Sequence, residues 1–190
     1  MTQSEKSGGG VKALILYWSG TGNTRKVAET IRQALECQNV TVTMSNVEEA
    51  YGLDVLGYDL VILGSPSYTW RPPKPVLDFL DEKRKYHSER SDIKLCAPKV
   101  PGRRAVVFCS YSGPHTGINE AIPVCKYMGQ FFEHLGFEVL DEWYVVGEFH
   151  GREDHSTQGR LGDIRGRPNQ QDLAEISDKV SRLVASLKKT

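Results

Sequence analysis

The sequence has no excess of either charge: 24 lysines and arginines stand against 24 aspartates and glutamates. Nothing in that balance calls for a polyanionic partner such as nucleic acid. It also lacks any apolar run approaching the roughly 20 residues of a membrane-spanning helix. The opening stretch, MTQSEKSGGG, has no apolar segment of the kind a secretory signal needs. Residues 1–10 are therefore expected to be a flexible tail, and 11–190 a single folded domain. Cysteine is scarce and scattered: Cys37, Cys96, Cys109 and Cys125 form no CxxC pair. That argues against an iron–sulfur cluster or a structural zinc, and fits free thiols in a reducing cytoplasm. Internal repeats and low-complexity blocks are missing too. What remains is a chain of 190 residues, long enough to bury a core.

The chemistry is concentrated between Lys12 and Ile31. Ala13, Leu14, Ile15, Leu16 and Tyr17 form a short apolar run suited to a strand buried on both faces. Ser19-Gly20-Thr21-Gly22-Asn23-Thr24 follows, small and hydroxylic. Then Val27, Ala28, Ile31, Ala34 and Leu35 recur at helical spacing. A strand, a tight glycine loop and a helix start aim backbone N–H groups and a positive dipole end at one point, which suits a phosphate. A nucleotide P-loop would need a lysine that is missing here, and a dinucleotide fingerprint would need a third glycine. The hydroxyls of Ser19, Thr21 and Thr24 suit a single terminal phosphomonoester.

Further along, Val40–Met44, Tyr58–Gly64, Arg104–Ser110 and Phe137–Val146 read as strands. A brief helical or irregular connection is expected over Val47–Gly57. Helical spacing marks Val76–Tyr86 and the stretch from Ala121 to Leu135, where Cys125 and Met128 read as core. Asn169 is placed to cap a last helix carrying Leu173, Ile176, Val180, Leu183, Val184 and Leu187. Strands alternating with helices predict a parallel sheet covered on both faces. The charged stretch Asp81–Arg104 reads as a solvated helix end and loop. Gly147–Asn169 is glycine-punctuated and carries His150 and His155. Their spacing fits no standard metal site, so the segment reads as a lid or a subunit contact.

Ile15-Leu16-Tyr17-Trp18-Ser19-Gly20-Thr21-Gly22-Asn23-Thr24, followed by Ala28 and Ile31, resembles the flavodoxin signature over its full length. The resemblance implies a flavodoxin-like three-layer sandwich with a five-stranded parallel sheet of order 2-1-3-4-5. It also implies FMN, with Ser19, Gly20, Thr21, Gly22, Asn23 and Thr24 around its phosphate. After the third strand, Ser65-Pro66-Ser67-Tyr68-Thr69-Trp70 would bring an aromatic to the flavin. Trp70 is favoured over Tyr68 for its larger face. After the fourth, Ser110-Tyr111-Ser112-Gly113 would supply a second aromatic, Tyr111, together with backbone N–H groups. His115 is either solvated or a proton shuttle. Stacking, and a phosphate with no cation beside it, would both push the reduction potential down.

The resemblance implies a carrier of electrons between redox partner proteins. An NAD(P)H-dependent FMN or quinone oxidoreductase is the alternative, and a flavin-free regulatory or binding module is a third. The neutral balance departs from the acidic surface typical of flavodoxin carriers, which steers them to basic partners.

Overall fold

Alternate residues of the strands face two separate hydrophobic cores, and this explains their unbroken apolar runs. In the computed structural model, which describes residues 10–188, Leu14, Leu16, Val61, Leu63 and Val107 point into one core; Ala13, Ile15, Leu60, Ile62 and Val106 point into the other. Apart from Gly10, the expected N-terminal tail lies outside the described residues.

The strands β1 (Lys12–Tyr17), β2 (Thr41–Asn46), β3 (Leu60–Pro66), β4 (Arg104–Tyr111) and β5 (Glu138–Val146) form one sheet of order β2-β1-β3-β4-β5. Every neighbouring pair is parallel, and the order is the one the resemblance implied. The helices are α1 (Asn23–Glu36), α2 (Lys74–Glu89), α3 (Ile122–His134), α4 (Glu153–Thr157) and α5 (Gln170–Leu187).

Val27, Ala28, Ile31 and Leu35 of α1 join Ile176, Val180 and Val184 of α5 on one face of the sheet. Val76, Phe79 and Leu80 of α2 join Val124, Cys125, Met128 and Phe132 of α3 on the other. Each buried Val, Ile, Leu or Phe is worth about 1.5–3 kcal/mol of transfer free energy. The expected apolar stripes therefore account for how the helices dock.

The elements run longer than their apolar runs. β3 extends to Pro66 because Pro66 pairs with Ser110, and β4 extends to Tyr111 through its partner Val146. Gly64 faces Phe108 across the β3–β4 ladder. A Cβ there would overlap the Phe108 ring, so the glycine makes room for a large core side chain. Asn169 caps α5 in a full capping box: its side chain accepts from Asp172 N, and the Asp172 carboxylate accepts from Asn169 N.

The charged stretch 81–104, expected as a solvated helix end and loop, is mostly exposed, and Arg84, Lys85, Arg90 and Lys99 pair with Asp81, Glu89, Asp92 and Glu138. Lys83 is buried, and its ammonium donates to the carbonyls of Tyr51 and Leu53. The segment after β5 is not structureless: it holds α4 and folds around the buried Ser156. The Ser156 hydroxyl accepts from Phe149 N at 2.9 Å, and Ser156 O accepts from Ile164 N at 2.8 Å.

Candidate functional site

The carboxyl ends of β1, β3, β4 and β5 converge on one cavity of about 550 Å³, at the position where open α/β sheets bind ligands. Its first wall is the loop into α1, with Gly20, Thr21, Asn23 and Thr24 on the lining. Here α1 begins without a side-chain cap and without an acid in its first turn. Its first backbone hydrogen bond runs from Lys26 N to Gly22 O at 2.9 Å. Among the described residues, no acceptor stands on the amides of Asn23, Thr24 or Arg25. Unsatisfied first-turn amides and the positive end of the helix dipole make this end of the cavity an anion site. Gly22 sits at φ 101°, in the left-handed region that lets the loop turn into the helix.

The hydroxyls of this wall are less free than their types suggest. Ser19 Oγ accepts from Gly22 N at 3.0 Å and keeps its own proton to donate. Thr24 Oγ1 lies 2.7 Å from Ser110 Oγ, and both residues are buried. That pair ties α1 to the end of β4. Thr21 is left as the one hydroxyl of the loop without a protein partner among the described residues.

Pro66 to Trp70 form the second wall. Tyr68 and Arg71 exchange backbone hydrogen bonds of 3.0 and 3.2 Å, closing a two-residue turn with Thr69 at φ 51° and Trp70 at φ 61°. Such turns favour Asn-Gly; a β-branched residue and a bulky one in the left-handed region are strained, the kind of strain that gathers at functional sites. Tyr68 is pinned, edge-on to Trp18 with ring centroids 5.8 Å apart and its hydroxyl over Gly20. Trp70 has no such contact and is 58% exposed. Ser67 donates to the Glu120 carbonyl. Ser65 is fully buried, bonded to Pro66 O, and does not line the cavity. This corrects its expected place at the site: the strand carries it one step short of the edge. Ser19 and Gly22 likewise shape the first loop from behind the lining.

The third wall runs from Ser110 to His115, with Glu120. Tyr111 is mostly buried, and burial raises its phenol pKa above the ordinary value. Ser112 donates to Gly147 O at 2.7 Å, so its hydroxyl is committed to joining the ends of β4 and β5. Gly113, at φ 52°, packs so closely on Gly117 that a Cβ would meet its backbone at 2.6 Å. Glu120 Oε1 accepts from the amides of His115 and Thr116, which fixes the shape of this loop.

The segment after β5, read from sequence as a lid or a subunit contact, supplies a fourth wall through Glu148, Phe149, His150 and His155, none of which was named as a site residue. The topological signal for it was there, since β5 ends at the same edge as β1, β3 and β4. Asn23 Nδ2 donates to Glu148 O at 2.9 Å and holds this wall against the first. His115 and His155 meet edge to face with ring centroids 5.5 Å apart, and Phe149 meets His155 at 4.8 Å. Among the described residues, no lysine or arginine lies on the lining.

The site therefore pairs a neutral anion-binding end with an aromatic-sided slot. A flavin mononucleotide fits both halves: a phosphate for the unpaired amides and a flat ring system for the aromatics. No helix among the described residues is long and apolar enough to cross a membrane.

Comparison with known proteins agrees with this geometry. The family model for the flavodoxin domain matches residues 14–98. The chain is 38% identical over 97 residues to a flavodoxin of Megasphaera elsdenii, a match covering 51% of this chain and 63% of that one. It is 30% identical over 97 residues to a flavodoxin of Clostridium beijerinckii, covering 51% of this chain and 62% of the relative. The matched region thus spans less than two thirds of either relative's length. The fold is also similar to the crystal structure of oxidised Flavodoxin 2 from Bacillus cereus, with a TM-score of 0.63 and 21% identity over 94% of this chain and 99% of that one.

Proposed function

The chain belongs to the flavodoxin family, and from that premise we propose that it binds FMN in this cavity and carries electrons between redox partner proteins. FMN, the cofactor of the family, supplies the redox chemistry when bound, while the protein supplies binding, orientation and electrostatics. One observation carries the reading: unpaired helix-start amides and the aromatic side chains Trp70 and Tyr111 share a single cavity.

The amides of Asn23, Thr24 and Arg25 and the Thr21 hydroxyl are the donors for the phosphate. Trp70 serves the ring system better than Tyr68, because Tyr68 is spent on Trp18 and Gly20. Tyr111 offers a largely buried second aromatic, and Gly113 lets the third loop turn closely behind it. Without a lysine or arginine on the lining, the phosphate keeps its negative charge. That charge and the aromatic walls both oppose adding electrons to the ring, which lowers its reduction potential.

A second reading, an NAD(P)H-dependent FMN or quinone oxidoreductase, is favoured by two features. The surface lacks the acidic excess of a carrier, and the fourth wall brings His150 and His155 to the cavity beside His115. The two readings separate in one anaerobic experiment: load the protein with FMN, add NADPH or NADH alone, and follow the flavin absorbance. Lasting colour, with reduction only by dithionite or a partner protein, is the carrier's result. Rapid bleaching would instead establish a reductase and make quinones the next substrates to try. A protein that takes up no FMN would be a flavin-free module.

A further inference from the structure

Among the described residues, the anion-binding end of the cavity has no permanent cation on its lining. Arg25 is held by Glu29 at 2.8 Å, and Lys26 donates to the Pro168 carbonyl. The cationic candidates left on the lining are His115, His150 and His155. Only His150 is tied to the start of α1. There Gly147 passes so close to Asn23 that a Cβ on it would stand 2.7 Å from Asn23 Nδ2. Asn23 Nδ2 donates to Glu148 O at 2.9 Å, and His150 Nε2 stands 3.5 Å from Asn23 Oδ1. Asn23 is the first residue of α1, so these contacts set an exposed imidazole beside the unpaired amides. His115 and His155 are turned toward each other instead.

We infer that His150 is a pH-dependent partner of the cofactor phosphate, an inference that rests on the FMN reading above. A neutral imidazole offers one N–H, whereas the protonated ring donates from both nitrogens and adds a full charge. Charge-assisted bonds to phosphate are about twice as strong as neutral ones. Because the protonated form binds the phosphate better, affinity is gained as the imidazole takes up its proton. Among His150's neighbours in sequence, the Glu148 carboxylate accepts from Gly166 N, Asp154 on α4 is paired with Arg152, and His155 meets Phe149 and His115. On α1, Arg25 and Lys26 are both engaged as described.

The test measures dissociation constants of FMN and riboflavin by flavin fluorescence, for the wild type, His150→Gln and His150→Lys, at about pH 6 and about pH 8, either side of the usual imidazole pKa. Riboflavin lacks the phosphate, so the FMN-over-riboflavin preference isolates its contribution. Glutamine keeps a neutral donor and shares any titration of the phosphate itself. The wild-type preference is expected to exceed that of His150→Gln by about fivefold near pH 6 and by less than about twofold near pH 8. His150→Lys should hold the high preference at both. Equal preferences in wild type and His150→Gln at both pH values, with FMN still favoured, would overturn the role of His150 alone. If no variant favours FMN over riboflavin, the phosphate reading of the cavity fails with it.

Discussion

Two segments meet at the cavity, and they treat their polar groups in opposite ways. The six-residue loop from Ser19 to Thr24 leaves helix-start amides without acceptors. The longer segment between β5 and α5 ties up many of its polar groups, although the buried His155 Nδ1 has no partner among the described residues. Glu148 accepts from Gly166 N, Arg160 N donates to Pro114 O, Ser156 holds Phe149 and Ile164, and Arg167 pairs with Asp172. Unsatisfied donors cost free energy unless something binds them, so the short loop is the binding element. The long segment is a scaffold that brings a fourth wall to it.

The sharpest way to break this contrast is to place a carboxylate in the short loop. Thr21→Asp should weaken FMN binding by about a hundredfold through charge repulsion in a partly desolvated site, while changing riboflavin binding far less. The same change should stabilise the cofactor-free protein by about 0.3–1 kcal/mol, because the acid meets the helix dipole. Flavin titration and urea unfolding of the one variant read both signs.

The scaffold responds differently. Burial alone would raise the Asp172 pKa, but Arg167 and the Asn169 amide outweigh it and hold the carboxylate below its usual value. A depressed folded-state pKa contributes stability that is present above the unfolded-state value of about 3.9 and is lost as pH falls through the folded value. Asp172→Asn should therefore cost about 2 kcal/mol near neutral pH, and progressively less in acid, by urea unfolding. FMN affinity measured on the folded protein should scarcely change.

Trp70 gives the smallest expected effect. Trp70→Ala should raise the two-electron midpoint potential by about 10–30 mV, the equivalent of one lost aromatic contact. Spectroelectrochemistry measures it, and an unchanged potential would remove Trp70 from the ring site.

The cavity's own elements explain how much of it could be read in advance. The strands, both helix layers and the Asn169 cap follow from apolar periodicity and the identity of one capping residue, which are local properties; the strand order came from the resemblance carried by the first loop. The first loop was legible because its residue types and spacing constrain each other. The fate of its hydroxyls was not. Thr24 finds Ser110 86 residues away, and Ser112 finds Gly147 35 residues away; no local pattern announces such partners. Ser65 was misplaced because a shift of one residue along a strand decides which atoms reach the edge. Phe149 and His150 lay in a segment read as a lid or a subunit contact, with nothing in its glycines and charges to single them out. Only the convergence of β5 on the same edge brings them to the cavity. Lys83 shows the converse: it sits in a run of charges, yet it is buried by two carbonyls that the sequence does not associate with it.

The most direct measurement is amide hydrogen exchange at Asn23, Thr24 and Arg25, read by NMR with the protein free, with FMN and with riboflavin. These amides should exchange fast in the free protein, slow markedly with FMN, and remain fast with riboflavin. Equal protection by both flavins, or none by bound FMN, would contradict the assignment of this loop to the phosphate.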